Sequence, residues 1–387
     1  MRARVSTLPR EAVPLLEADG RVLARQATAQ VDVPLFRRAA MDGWAVRGEE
    51  TFGATPLDPR PFRIAGESFP GRPSAAPVGE GECVRIMTGA PMPEGADAVV
   101  PFEEGAREGG RALVHAPATP GRNVGEVGED VRKGDVVLRA GRRLRPQDLG
   151  LLSSLGFAQV FVVRRPRAAL VMTGDEILPA GSVPSGHAIT DANTPMLQAL
   201  VRRDGGTLLC GPIVKDDRAA VREALLASAA AADCVLVSGG SSVGAEDHAP
   251  SLLREEGELL AHGVAMRPSS PAGFGMLSGK PVFLLPGNPV SCLCAYDFFA
   301  GMAIRVLGGR HPDWPHVKVR MPLGRKITSE IGRVDYVRVR VEEGRVIPLA
   351  IRGASILSST TRAHGFVLVE ADREGFGERE MVEVRLY

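Results

Sequence analysis

From residue 164 to residue 307 the chain alternates short unbroken apolar runs with stretches that are apolar only at every third or fourth position. Runs of about four to eight apolar residues suit strands buried on both faces, and the wider spacing suits helices with one buried stripe. "RAALVMTG", "TLLCGPIV", "DCVLVSGG" and "KPVFLLPGNP" therefore read as strands. Between them, "DANTPMLQALVRRDGG" reads as a helix capped by Asn193 or Thr194, with Pro195 near its first position and Gly205 just past its end. A second helix, "DDRAAVREALLASAAAA", is opened by Asp216 and Asp217, and a third, apolar one covers about 290–307. Successive strand–helix–strand units imply right-handed crossovers and a mostly parallel sheet.

The pattern changes on either side. After "GGRHPDWPHV", read as a linker, the alternation in "VKVRMPL", "VDYVRVRV", "RVIPLA", "FVLVE" and "MVEVRLY" predicts short strands with one wet face, in a small barrel or sandwich. At the other end, helical patterns near the start and at "RPQDLGLLSSLG" flank a β-rich insert dense in glycine and proline. The flanks are expected to pack together while the insert forms its own lobe.

Length and composition then bound the class. A chain of 387 residues with 44% hydrophobic and 24% charged positions is an ordinary globular protein of several domains. A net charge of +1 gives no bulk electrostatic case for nucleic acid. With no unbroken apolar run of membrane length and no signal-peptide pattern in "MRARVSTLPREAVPLLEADG", no membrane role and a cytoplasmic location are expected. The five cysteines lack metal-ligand spacing and read as reduced, buried residues.

In open parallel sheets, ligands sit beyond the carboxyl ends of the strands. Three strands here run into the loops "TGDE", "SGGSSVGAED" and "LPGNPVS", which should converge on one crevice. In the second loop, Gly239 and Gly240 permit close backbone approach, and Ser241, Ser242 and the N–H groups through Gly244 suit a phosphate. Glu246 and Asp247 would repel that phosphate unless a divalent cation lay between, or they only favour the dipole of the following helix. Asp175 and Glu176 suit a cation or a ligand hydroxyl, or are solvated turn acids. Asn288 can bond a heterocycle or anchor its own loop. His248 reads as a helix-start residue. In the insert, Asp42, Thr88 and Asp97 lie among glycines, and Asp130 follows in "GEDVRKGD". Phosphate-loop, nucleophile-elbow and HExxH motifs do not occur, so covalent catalysis has no support.

Taken in order, "AAMDGWAV", "RIMTGAPMPEGADAVVP", "GEDVRKGD", "TGDEI", "DANTPML", "VSGGSSVGAED" and "LPGNPVS" resemble the MoeA family, the molybdopterin molybdenumtransferases related to the gephyrin E domain. The resemblance covers nearly the whole chain. It implies a multidomain α/β plus β fold: a discontinuous N-terminal domain (1–27 with 129–163), an inserted β-rich lobe (28–128), a central MogA-like three-layer α/β domain with a mostly parallel sheet (164–308), and a small C-terminal β-barrel (309–387). It implies a homodimer with an inter-subunit cleft, adenylylated molybdopterin and molybdate as substrates, Mg2+ or Zn2+ as cofactor, and the adenylyltransferase that makes the substrate as a partner. AMP is the leaving group.

Carried over by position, the resemblance gives catalytic roles to Asp42, Asp130, Asp247 and Arg267, with Asp247 and Glu176 as metal ligands. Thr88, Glu176, Asp216, Gly239, Gly240, Ser241, Ser242, Gly244, Pro286, Asn288, Ser270, Arg333 and Ser355 are implied to bind substrate. One segment departs. Where the family has a two-lysine K-P-G-K-P stretch, this chain reads "MRPSSPAGFG", so Arg267 keeps a cation in forked form and Ser270 loses one. A divergent paralogue using tungstate, or a carrier or scaffold without turnover, is the alternative this change favours.

Overall fold

In the computed structural model, residues 4–239, 248–350 and 353–387 are described. They fall into two compact units, one holding 1–12, 20–24 and 161–387, the other 13–19 and 25–160.

In the first unit the expected alternation is present. Strands β1 (Arg167–Met172), β2 (Thr207–Cys210), β3 (Cys234–Ser238), β4 (Glu258–His262), β5 (Gly273–Leu277) and β6 (Lys280–Leu285) form one sheet in the order β2-β1-β3-β6-β5-β4. The first four in that order are parallel, while β5 is antiparallel to both its neighbours. Alternate residues of the same strands feed two cores. Leu170, Leu236 and Phe283 meet Leu197 and Val201 of α1 (Asn193–Arg203) and Tyr296 and Ile304 of the helical rod Pro289–Leu307. Val171, Val235 and Leu284 meet Val221 and Leu225 of α2 (Arg218–Ala231) and Leu252 and Leu253 of α3 (His248–Glu256). Burial on both faces is why these strands read as unbroken apolar runs. The rod Pro289–Leu307 is long and apolar enough to cross a membrane, but 72% of that stretch is buried, as in a core helix.

Two helix-cap expectations need correction. The cap of α1 is supplied from two residues before Asn193, where Asp191 Oδ1 accepts from the Asn193 and Thr194 backbone N–H groups, each at 2.9 Å. The cap of α2 is Asp217 alone, accepting from Ala220 N at 2.9 Å. In both cases the side chain nearest the first free N–H groups takes them, and its neighbour faces elsewhere.

The C-terminal strands are β7 (Val317–Pro322), β8 (Val334–Glu342), β9 (Arg345–Ala350), β10 (Gly365–Val369) and β11 (Met381–Leu386). They pair antiparallel in the order β9-β8-β10-β11-β7, and a bridge between Leu323 and Val346 brings the end of β7 back to β9. The two-residue strand Met266–Arg267 leaves the central region to pair in parallel with β8. The stretch expected to be a linker is packed: Trp314 lies edge-on to Phe298 at 4.7 Å and against Phe366 at 5.3 Å, since an indole this size stabilises most by burial.

The second unit centres on a mixed six-stranded sheet in the order Ala98–Pro101, Gly43–Val46, Glu82–Ile86, Arg60–Ser68, Arg111–Val114, Gly105–Glu108. Trp44, Val46, Cys83 and Val100 point into one core and Ala45, Val84 and Val99 into another, so both faces are covered. The helix expected in "RPQDLGLLSSLG" is present as Pro146–Ser154, with Asp148 folding back to accept from Arg145 N at 3.0 Å. The helical expectation near the chain start is overturned. Arg10–Pro14 is a strand followed by a single 3-10 turn, Leu15–Glu17. Pro9 and Pro14 lack the N–H that a helix needs, and the chain instead bonds outward: Arg164 N donates to Pro9 O at 2.9 Å and Leu15 N to Ala158 O at 3.0 Å.

Candidate functional site

Strands β1, β3 and β6 lie side by side and parallel, so their carboxyl ends release three loops next to one another. A hollow of about 590 Å³ opens there, lined from the first loop by Thr173, Gly174 and Glu176, from the second by Gly239, and from the third by Pro286, Gly287 and Asn288. Asp191, Asn193, Asp216 and Ser355 complete the wall. The expected convergence is thus present for the first and third loops and for Gly239 of the second, and it follows from strand order rather than from any one loop.

Asn193 binds the loops to one another. Its Nδ2 donates to Ser238 Oγ at 2.9 Å and to Gly287 O at 2.7 Å. Gly239, with φ at +94°, packs so closely that a Cβ there would run into the Thr173 carbonyl oxygen. Its bareness therefore serves backbone against backbone within the protein. Asn288 accepts from Ser355 Oγ at 2.7 Å, and Ala354 O accepts from Val290 N at 2.9 Å, so the segment after β9 is tied to the first turn of the apolar rod. Asp175 lines a neighbouring hollow, with its Oδ1 3.4 Å from Asp216 N.

A second hollow, of about 510 Å³, shares Pro271, Pro286 and Asn288 with the first. Its lining carries Arg267, Ser269, Ser270 and Arg333. Behind it lies Asp335, fully buried. Arg267 Nε donates to Asp335 Oδ1 at 3.1 Å and its terminal nitrogen donates to Oδ2, while Ser329 Oγ adds a bond to Oδ2 at 2.7 Å. Arg333 Nε stands 3.3 Å from Oδ1, out of line for a hydrogen bond. The forked charge expected to reach for an oxyanion is thus largely turned inward, because a bidentate carboxylate is its best-matched partner.

The two hollows differ in character. The first presents Glu176, Asp191 and Asp216, all acceptors; the second presents two guanidinium groups and three serines, Ser269, Ser270 and Ser291. Among the described residues no group of three or more His, Cys, Asp or Glu side chains is set for a metal ion. The donors present in the first hollow, carboxylate oxygens, are of the kind that Mg2+ takes.

Of the expected residues, Glu176, Asp216, Gly239, Pro286, Asn288 and Ser355 line the first hollow, and Arg267, Ser270 and Arg333 the second. Gly240, Ser241, Ser242, Gly244, Glu246 and Asp247 lie outside the described residues. Asp42, Thr88 and Asp130 belong to the second unit and are exposed. There, Thr88 donates to Asp42 Oδ1 through both its backbone N and its hydroxyl, each at 2.7 Å, and those bonds hold the Asp42 carboxyl below its usual range. Asp97 accepts from Gly48 N at 2.6 Å, an anchor for its loop. His248 is the first residue of α3, as expected.

Burial pushes the thiols of Cys83, Cys234 and Cys292 up to about 12 and Cys294 well above its ordinary value, so none of them is a nucleophile. Cys210 corrects the expectation that all five are buried. At the end of an edge strand it is exposed. Sequence reasoning gave Asn193 only a capping role and did not single out Asp191, Thr173 or Asp335 for the site. For Asp191 the spacing to the free N–H groups of α1 was a usable signal; for Asp335, one acid in an alternating strand, there was none.

Three family profiles match the chain in order: the MoeA N-terminal region (domains I and II) over 1–156, a molybdopterin-binding domain over 169–305, and the MoeA C-terminal region (domain IV) over 320–387. The molybdopterin molybdenumtransferase 2 of Mycobacterium tuberculosis is 35% identical over 374 residues, covering 93% of this chain and 91% of that protein. The chain belongs to the MoeA family. The molybdopterin molybdenumtransferase of Haemophilus influenzae is 32% identical over 383 residues, 97% of this chain and 93% of that one. Among solved structures, the MoeA protein of Pyrococcus horikoshii superposes with a TM-score of 0.83 at 33% identity, covering 100% of this chain and 97% of that chain. The mixed α/β and β architecture described above is therefore a MoeA fold.

Proposed function

We propose that this MoeA-family chain is a molybdopterin molybdenumtransferase of molybdenum cofactor biosynthesis, which releases AMP from adenylylated molybdopterin as molybdate joins the dithiolene. One observation carries the reading beyond the family: an acceptor-rich hollow and a donor-rich hollow adjoin along Pro271, Pro286 and Asn288. A ligand with a heterocycle, a pyrophosphate and an incoming oxyanion needs both kinds of wall.

In this reading Glu176 and Asp216, with Asp247, would hold a divalent cation, which would supply positive charge against the phosphate during P–O cleavage. Arg333 and the serines of the second hollow orient the oxyanion, and Arg267 fixes that wall through Asp335. No side-chain nucleophile is required, in keeping with the raised thiols. Asn288, held by Ser355, keeps the shared ridge in place. We carry with this reading the four-domain division given above, a homodimer in which the partner supplies Asp42, Thr88 and Asp130, and a cytoplasmic location. The Leu323–Val346 bridge supports taking the C-terminal sheet as a small barrel, and the helices on both faces of the central sheet support a MogA-like core.

Incubation with adenylylated molybdopterin, magnesium and molybdate should release AMP, and intact substrate under every metal condition tried would overturn the assignment. The inward turn of Arg267 favours a second reading, a carrier or scaffold that holds the pterin without turnover, or a paralogue that prefers tungstate. Comparing AMP release with each oxyanion separates these.

A further inference from the structure

Two residues lining the first hollow, Asn193 and Thr173, each carry a buried polar atom that no described residue meets. Asn193 is only 5% exposed, and both hydrogens of its side-chain amide are spent on Ser238 Oγ and Gly287 O. The Gly287 carbonyl can only accept, so the amide cannot be turned over, and Oδ1 is fixed as a pure acceptor. That oxygen is buried and has no hydrogen-bond partner among the described residues. Thr173, also 5% exposed, brings a hydroxyl oxygen in the same condition to the same wall. A buried polar atom without a partner is a standing penalty, which a ligand that completes the bond removes.

The chemistry of that ligand group is constrained. Phosphate and molybdate oxygens at neutral pH have no proton to give, so an oxyanion cannot satisfy Asn193 Oδ1. An N–H or O–H group can. We infer that Asn193 and Thr173 are specificity-determining residues that read a neutral amine or amide edge of the bound heterocycle, apart from the phosphate and oxyanion contacts. Asn193 does this while its amide hydrogens hold two loops together, so the reading group is preorganised before the ligand arrives.

Two parts of the proposed substrate share this chemistry, the amide–amine edge of the pterin and the amine of adenine. Binding to the full-length protein is measured by calorimetry with two ligand pairs: AMP against its analogue lacking the 6-amino group, and 2-amino-4-oxopteridine against its analogue lacking the 2-amino group. The wild type should prefer the amino-bearing member of one pair by roughly tenfold, the scale of one buried hydrogen bond left unmade. Thr173→Val, close to isosteric, should abolish most of that preference, and Thr173→Ser should restore it. Asn193→Ala also severs the loop ties, so Ser238→Ala, which removes one tie and keeps Oδ1, serves as the control and should retain the preference. Molybdate binding should be unchanged in Thr173→Val.

The pair that shows discrimination names the source, pterin or adenosine. Absence of preference in both pairs, or a preference that survives both Thr173→Val and Asn193→Ala, overturns the inference. The inference rests on the transferase reading, and AMP release by the same preparations keeps the two apart. Normal release without discrimination defeats only the recognition pair, whereas discrimination without release defeats only the transferase.

Discussion

Arg267 and Asp335 form a two-pronged pair: Nε donates to Oδ1 at 3.1 Å and a terminal nitrogen donates to Oδ2. Asp335 is fully buried on β8, and Arg267 lies opposite it on the short strand that leaves the central region. The pair therefore joins the wall of the second hollow to the C-terminal sheet. Arg333 and Ser329 crowd the same carboxylate, so its negative charge balances a cationic corner.

Removing that charge while keeping the shape should be costly. Asp335→Asn leaves Arg267 and Arg333 with only the exposed carboxylate of Glu330 as an anionic partner and is expected to lower stability by about 3 kcal/mol, read from urea unfolding. Arg267→Lys loses the fork and should cost less, about 1 kcal/mol, since one point-charge bond survives. Equal, negligible effects of both substitutions would show that the corner is not held by this pair.

Glu176→Gln and Asp216→Asn each remove a carboxylate from the first hollow while altering little in shape. Each should reduce metal-dependent AMP release by roughly 10–100-fold, with partial recovery at high magnesium. Unfolding midpoints should barely move, because neither residue is buried in a core. Activity at wild-type levels in both variants would remove them from the site.

The Thr88–Asp42 contact predicts a pH signature. Asp42 is held below its usual carboxylate range by the backbone N–H of Thr88 first and its hydroxyl second, against a smaller opposing effect of burial. A depressed carboxylate contributes stability above its unfolded pKa and loses it as pH falls through the folded value. Thr88→Val keeps the backbone bond and removes the hydroxyl, so the Asp42 titration followed by NMR should move part of the way back up. A titration unchanged in Thr88→Val would mean that the hydroxyl bond is absent in solution.

Thiol chemistry should be confined to one position. Four cysteines are buried, with three thiols at about 12 and that of Cys294 well above its ordinary value, and Cys210 is exposed though also raised, chiefly by partial desolvation and then by Asp191. A colorimetric thiol reagent at pH 8 should modify Cys210 alone, slowly and faster as pH rises, and Cys210→Ser should abolish the signal. All five should react on unfolding. Rapid labelling of a second thiol in the folded protein would contradict the burial.

The sequence by itself determined the central sheet, because strands covered on both faces must be apolar at every position and so leave unbroken runs such as Val235, Leu236 and Val237. It also pointed to the loops that line the first hollow, since parallel strands present their carboxyl ends on one edge. At the chain start, by contrast, local periodicity misled: Pro9 and Pro14 bracket a segment whose hydrogen bonds go to Arg164 and Ala158, roughly 150 positions away.

Tertiary structure alone decided what the side chains do once there. Asn193 reads as a cap until Asp191 takes the cap and frees its amide to join Ser238 to Gly287. Arg267 reads as a free cation until Asp335, 68 positions further along and paired beside it in the C-terminal sheet, claims it. A side chain's partner is set by the strand that packs beside it, and the distance to that strand in space is not written in local sequence. Hydrophobic pattern is local, so the chain carries it openly; the pairing of polar groups is long-range, so it appears only when the sheets are assembled.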